Sequence, residues 1–130
     1  MFFDEIRTLR TINEAPNDFT IKFFLYIAVN QPQDGIKGFR VNKKQLQTDL
    51  KLSRTVFFDS LRWLKDNLVV QELKLALESD FMVNPVIVMN NCNPDERIKE
   101  WNRRCNLDSA REIRLRKEKR RRELKKQNQQ

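Results

Sequence analysis

The sequence contains no histidine. It therefore lacks the commonest general base, the commonest metal ligand, and the histidine-rich metal site with which tyrosine-dependent nicking enzymes open DNA. Its single tyrosine, Tyr26, lies inside an apolar run and reads as core. Cysteine is limited to Cys92 and Cys105, with no second pair to complete a zinc site and no secretory signal to favour a bridge, so two reduced thiols are expected. The two glycines, Gly35 and Gly38, share one loop and form no phosphate-binding glycine motif. With no paired-metal motif either, neither an enzyme nor a bound cofactor or metal is expected. No apolar run approaches the ~20 residues that cross a bilayer, and the first residues lack a basic stretch leading to a small-residue cleavage site. A cytoplasmic protein without a membrane partner is expected.

Charge is abundant but uneven. Residues 1–94 hold 12 Lys and Arg against 11 Asp and Glu, while residues 95–130 hold 14 against 7, so nearly all of the net +8 belongs to the C-terminal part. A localised positive block attracts a polyanion; nucleic acid is the usual one, and RNA, anionic lipid or an acidic protein meets the same electrostatics.

The stretch from Asn42 to Asn67 organises the chain. Asn42 is a good N-cap with Gln45 three residues on, and Leu46 and Leu50 mark one apolar face of a short helix. That helix stops near Lys51, Leu52 fills a turn, and Ser53 caps a second helix whose Phe57, Leu61 and Leu64 form a stripe facing Leu46 and Leu50. Arg54, Thr55, Phe58 and Arg62 then point outward. Two helices joined by a tight turn, the second exposing polar residues near its start, is the arrangement that places a recognition helix in a DNA major groove.

The flanking segments read as support. Phe2, Phe3, Ile6, Leu9 and Ile12 suit an amphipathic helix over residues 1–17, serving either dimerisation or packing on its own core. Asp18 can cap a following helix that is apolar over most of its circumference and expected to be buried, completing a three-helix bundle. Gln31–Gly38 is a loop and Phe39–Val41 a short strand. Gln71–Leu77 alternates as a strand, Glu78-Ser79-Asp80 turns, and Phe81–Val83 returns, giving a hairpin with an acidic tip that packs more than it binds; the alternative is an extension of the preceding helix over Leu68–Glu78. Asn84 can cap a short helical turn over Pro85–Met89. Asn93-Pro94-Asp95-Glu96 starts another helix with Ile98, Trp101 and Cys105 on one face, docking on the domain or pairing with a second copy. Asp108 and Ser109, with Glu112, offer a new cap for a charged segment to about Lys126.

With these elements in place, Lys44–Met89 resembles the corresponding region of RepL-type plasmid replication proteins. Lys44-Gln45-Leu46 through Leu52-Ser53 is similar to that family's first helix and turn, and Leu61-Arg62-Trp63-Leu64-Lys65 to the end of its second; MarR-like regulators share both. Asp80-Phe81-Met82-Val83-Asn84-Pro85-Val86-Ile87-Val88-Met89 is similar to the apolar-Asn-Pro-apolar-Met ending of its wing. Leu68, where a glycine-like turn residue is usual, Asp59, and the long basic tail depart from the pattern. The resemblance implies binding to a duplex replication origin and recruitment of host replication proteins.

The expected fold is mainly α with a small β-hairpin, a winged helix-turn-helix over residues 18–92 between an N-terminal amphipathic segment, 1–17, and a basic C-terminal helix or arm, 93–130. Double-stranded DNA is the expected partner. Ser53 suits a phosphate, Arg54 and Thr55 reach base edges, Phe58 meets a thymine methyl, and Arg62, Lys65, Lys43 and Lys44 anchor backbone. Arg116, Lys119, Arg120, Arg121 and Arg122 track phosphates from the arm. Each of these also suits a solvated surface, and Phe58 suits core packing. Two other functions remain open: a transcriptional repressor of the same fold, and an adaptor whose basic tail binds RNA or an acidic protein. A homodimer through the N-terminal segment or the Ile98/Trp101 helix is a further expectation.

Overall fold

The computed structural model describes residues 2–128, apart from the Ser109 side chain. The protein is mainly helical with a small antiparallel sheet. In chain order the elements are β1 (Phe2–Phe3), α1 (Glu5–Glu14), α2 (Asp18–Val29), β2 (Phe39–Val41), α3 (Lys43–Leu50), α4 (Arg54–Asp66), β3 (Val70–Lys74), β4 (Ser79–Val83), β5 (Val88–Met89) and α5 (Pro94–Asn128). Strands β2, β4 and β3 form one sheet in that order, and β1 pairs with β5.

One face of the three-stranded sheet closes the core. Phe39, Phe81, Val83 and Val70 stand on that face by strand alternation, packed with Phe23, Ile27, Leu46, Phe57 and Leu64 from the helices. Thr20 of α2 donates to the Ser60 hydroxyl of α4 at 3.1 Å, so the one polar contact inside this helix pair is satisfied. Helix α2 is capped by Asn17, not by Asp18. It is also less buried than its composition suggests: Phe23, Phe24, Ile27 and Ala28 are inside, but Phe19, Leu25 and Val29 are exposed. A helix on the outside of a bundle buries one side only, whatever its other residues.

The hairpin is present and the helical extension over Leu68–Glu78 is not. Leu68 takes a left-handed conformation (φ 55°) and ends α4, which accounts for the glycine-like residue expected there. The turn lies earlier than the sequence suggested, at Leu75–Glu78, because β4 already begins at Ser79. Asp80 is consequently no tip residue. It sits fully buried in mid-strand, and Glu78 is the only acid left at the tip. After β4, Pro85–Ile87 forms a turn held by the Asn84 side chain accepting from Val86 N–H, but Val88 and Met89 form β5 instead of continuing a helix.

Helix α5 starts at Pro94 as expected, with Asn93 accepting from the Asp95 and Glu96 N–H groups. It runs unbroken to Asn128, so no second helix starts at Asp108–Ser109. Its inward stripe is Arg97, Glu100, Trp101 and Arg104, while Ile98 is 36% exposed. The stripe covers the second face of the sheet: Arg104 donates to Asp80 at 2.7 Å and Gln71 to the Cys105 sulfur at 3.4 Å. Arg97 donates to the carbonyls of Gly35 and Lys37 and to the Gln31 side chain, pinning the Gln31–Gly38 loop. The helix thus docks on its own domain. No disulfide joins Cys92 to Cys105.

Candidate nucleic-acid interface

The helix pair α3–α4 is fixed by local chemistry. Asn42 accepts from the Lys44 and Gln45 N–H groups at 2.9 and 3.3 Å, and its own amide donates to Leu77 of the hairpin turn at 3.2 Å. Gln45 does not complete a reciprocal box; its amide reaches Asp49 instead. Lys51 ends α3 in a left-handed conformation, Leu52 is buried, and Ser53 accepts from Val56 N–H at 3.3 Å. Lys22 from α2 donates to the Leu50 carbonyl, one of the orphan acceptors at the end of α3.

With Phe57, Leu61 and Leu64 inside, the outward face of α4 carries Arg54, Thr55, Phe58, Asp59 and Arg62, as the stripe implied. Phe58 is 37% exposed and packs edge-on against Phe57. The Lys43 ammonium lies 5.8 Å and the Arg54 guanidinium 5.5 Å from the Phe58 ring centre. The ring is therefore neither plain core nor a free apolar contact. It gathers cations from two helices onto one face, each such contact being worth roughly 0.5–1 kcal/mol at an exposed site. Ser53, the N-cap of α4, is exposed, and Lys44 is exposed along a groove it shares with the hairpin turn Leu75–Glu78.

Two expected phosphate anchors are partly spoken for. Buried Glu72 takes Lys43 at 2.9 Å and Lys65 at 3.4 Å, and accepts from the Ser79 hydroxyl at 2.6 Å. Their ammonium groups share one carboxylate, which leaves a single net positive charge between them. Burial pushes the Glu72 carboxyl up, but hydrogen bonds from Ser79 and Lys43 and the charges of Lys65 and Lys43 outweigh it, holding the group below its ordinary 4.5. Because the folded value is the lower one, this stabilisation is complete above pH 4.5 and is lost as pH falls through the folded value. Denaturant titrations at neutral pH and at about pH 3 are expected to show the loss, and Glu72→Gln to be less stable at neutral pH with a shallower acid dependence. An unchanged acid slope in the variant would remove Glu72 from the account.

No family model, curated protein or solved structure matches the chain.

Geometry adds two cations that sequence reading missed. An open cleft of about 560 Å³ separates the C-terminal end of α4 from α5 and is lined by Lys65, Asp66, Gln71, Lys74, Arg111 and Glu112. Burial pushes the Lys74 ammonium down; Glu72 opposes this, and the charges of Arg111, Lys43 and Lys65 add to it. The signal was the two-residue spacing of Glu72 and Lys74, which puts them on one strand face. Arg116, Lys119, Arg120, Arg121 and Arg122 are exposed on the part of α5 that projects beyond the cleft, and are not brought onto the α4 face. Among the described residues no acidic, histidine or cysteine group is arranged to hold a metal, and no helix is long and apolar enough to cross a membrane.

Proposed function

We propose that this chain is a winged helix-turn-helix protein that binds a specific site in double-stranded DNA, with α4 in the major groove and the basic half of α5 along the backbone. The observation that carries this reading is the outward face of α4, where Arg54, Thr55, Phe58 and Arg62 are left exposed by a fully buried opposite stripe. The element order from α2 to β4, with β4 between β2 and β3, supports the winged-helix assignment, since it sets a hairpin beside the second helix of the pair. The resemblance of Asp80–Met89 to the wing ending of RepL-type proteins supports origin binding and recruitment of host replication proteins over repression of a promoter.

Selection of bound duplexes from a random pool tests the first claim. One motif is expected to enrich, and Arg54→Ala is expected to keep DNA binding but lose about 1–3 kcal/mol of discrimination at one base pair. A pool without enrichment, or a motif unaltered in the variant, would sink recognition through α4. For the role, the selected site placed on a plasmid without its own initiator should support replication when the protein is supplied; a site that only silences an adjacent promoter would assign repression.

A further inference from the structure

We propose that α1 pairs in parallel with α1 of a second copy of this chain. On α5, Trp101 is buried against the chain's own domain, which leaves Ile98, 36% exposed, as a single apolar side chain on that side. Helix α1 is the reverse case. Its Thr11 is buried against the domain, while Ile6 is 72% and Leu9 59% exposed on the opposite side, with Phe2 and Phe3 exposed at its N-terminal end. Ile6, Leu9 and Asn13 follow the alternating three- and four-residue spacing of a two-helix seam.

The charges flanking that seam select the occupant and its orientation. Glu5 lies on one side of Ile6 and Leu9 and Arg10 on the other, both exposed. In a parallel pair about a twofold axis, a residue on one flank meets the residue five positions later on the opposite flank of the partner helix, so Glu5 of each copy faces Arg10 of the other. An antiparallel pairing sets like flanks against each other and forfeits both contacts. Asn13 falls at a seam position, where a polar side chain meeting its own symmetry mate fixes register at some cost in stability. Charge also argues for this face over the rest of the surface. The whole chain carries +8, but residues 1–17 contain Arg7 and Arg10 against Asp4, Glu5 and Glu14, net −1, so two copies approach here without the repulsion they meet elsewhere.

The seam is short compared with the roughly 800 Å² per partner of a standard interface, so a weak, concentration-dependent association is expected. Sedimentation equilibrium of the full chain without DNA, at concentrations up to roughly 200 μM, is expected to show a monomer–dimer equilibrium. Leu9→Asp removes two seam side chains per dimer and should weaken it by roughly 100-fold or more. Since Leu9 is exposed in the single chain, the circular dichroism melt of dilute protein should not change. Glu5→Arg and Arg10→Glu should each weaken association, and the double exchange should restore it. A chain that stays monomeric over this range, a dimer that survives Leu9→Asp, or a double exchange that fails to recover association would overturn the proposal. Each readout is taken without DNA, so none depends on the DNA-binding reading.

Discussion

Replacing Asp80 by alanine is expected to cost about 3–5 kcal/mol of folding stability, the largest effect of any single side chain on the back of the sheet. Asp80 has no exposed surface, and its carboxylate is bonded on every side: Oδ1 accepts from Gly38 N–H at 2.8 Å and Arg104 Nη1 at 2.7 Å, and Oδ2 from Arg40 Nε at 3.1 Å. Arg104 is itself 4% exposed and otherwise held by Glu100, which also serves Arg103. Losing the carboxylate strands a buried guanidinium and an N–H group in a region from which water is excluded, and their desolvation is no longer repaid. Gly38 shares the site because a side chain there would collide with the Phe81 carbonyl and the Asp80 carboxylate. Against a total stability of roughly 5–15 kcal/mol, the loss should show as a large drop in urea midpoint. Arg104→Met should be milder, because Asp80 keeps Arg40 and Gly38. A loss below about 1 kcal/mol for Asp80→Ala, with an unchanged denaturant slope, would mean that water or Arg40 rearranges to satisfy the site.

The contrast between Asn42 and Asp80 explains how much could be read in advance. Asn42, Ser53 and Asn93 act on N–H groups two or three residues away, so their roles are written in local sequence. The buried stripe of α4 was legible for the same reason, since Phe57, Leu61 and Leu64 carry helical spacing in their identity. Asp80 acts on partners 24, 40 and 42 residues away, and an acid between Ser79 and Phe81 looks like turn chemistry until those partners are in place. Arg97, Glu100 and Arg104 do have helical spacing. Charges are normally solvated, and these are allowed inside only by partners that spacing does not show: Asp80 for Arg104 and the Gln31–Gly38 loop for Arg97, with Glu100 paired to Arg103 and Arg104 of its own helix. The β1–β5 pair joins two-residue strands 86 residues apart, too short for any periodicity to announce. On the candidate interface, exposure of Arg54, Thr55, Phe58 and Arg62 was readable, whereas the capture of Lys43 and Lys65 by Glu72 depends on where β3 lies against both helices.

That capture shifts the expected source of affinity to α5, and deleting residues 109–130 should expose it. The α4 face retains Arg54 and Arg62 beside Asp59, and two of its neighbouring lysines share Glu72, so its net charge is small. The deleted segment holds ten Lys and Arg against three acids, and its removal takes the chain from +8 to +1. The helical part of the deleted segment, which ends at Asn128, is roughly 30 Å long, a little under one turn of duplex. A straight helix turns about half its circumference to the DNA, so about five of the ten cations meet phosphates, and the slope of log K against log salt should become shallower by about 4–5. Affinity near physiological salt should fall by roughly 1,000-fold for every duplex alike, leaving the ratio between specific and random sequence intact. Residues 110–128 are exposed throughout, so the thermal midpoint should not move. Filter binding across a salt series, with the selected site and a scrambled one, distinguishes the outcomes. An unchanged slope would exclude the arm as a DNA element. A collapse of the specific-to-random ratio would mean instead that α5 reads bases, and the discrimination assigned to Arg54 would have to be shared with it.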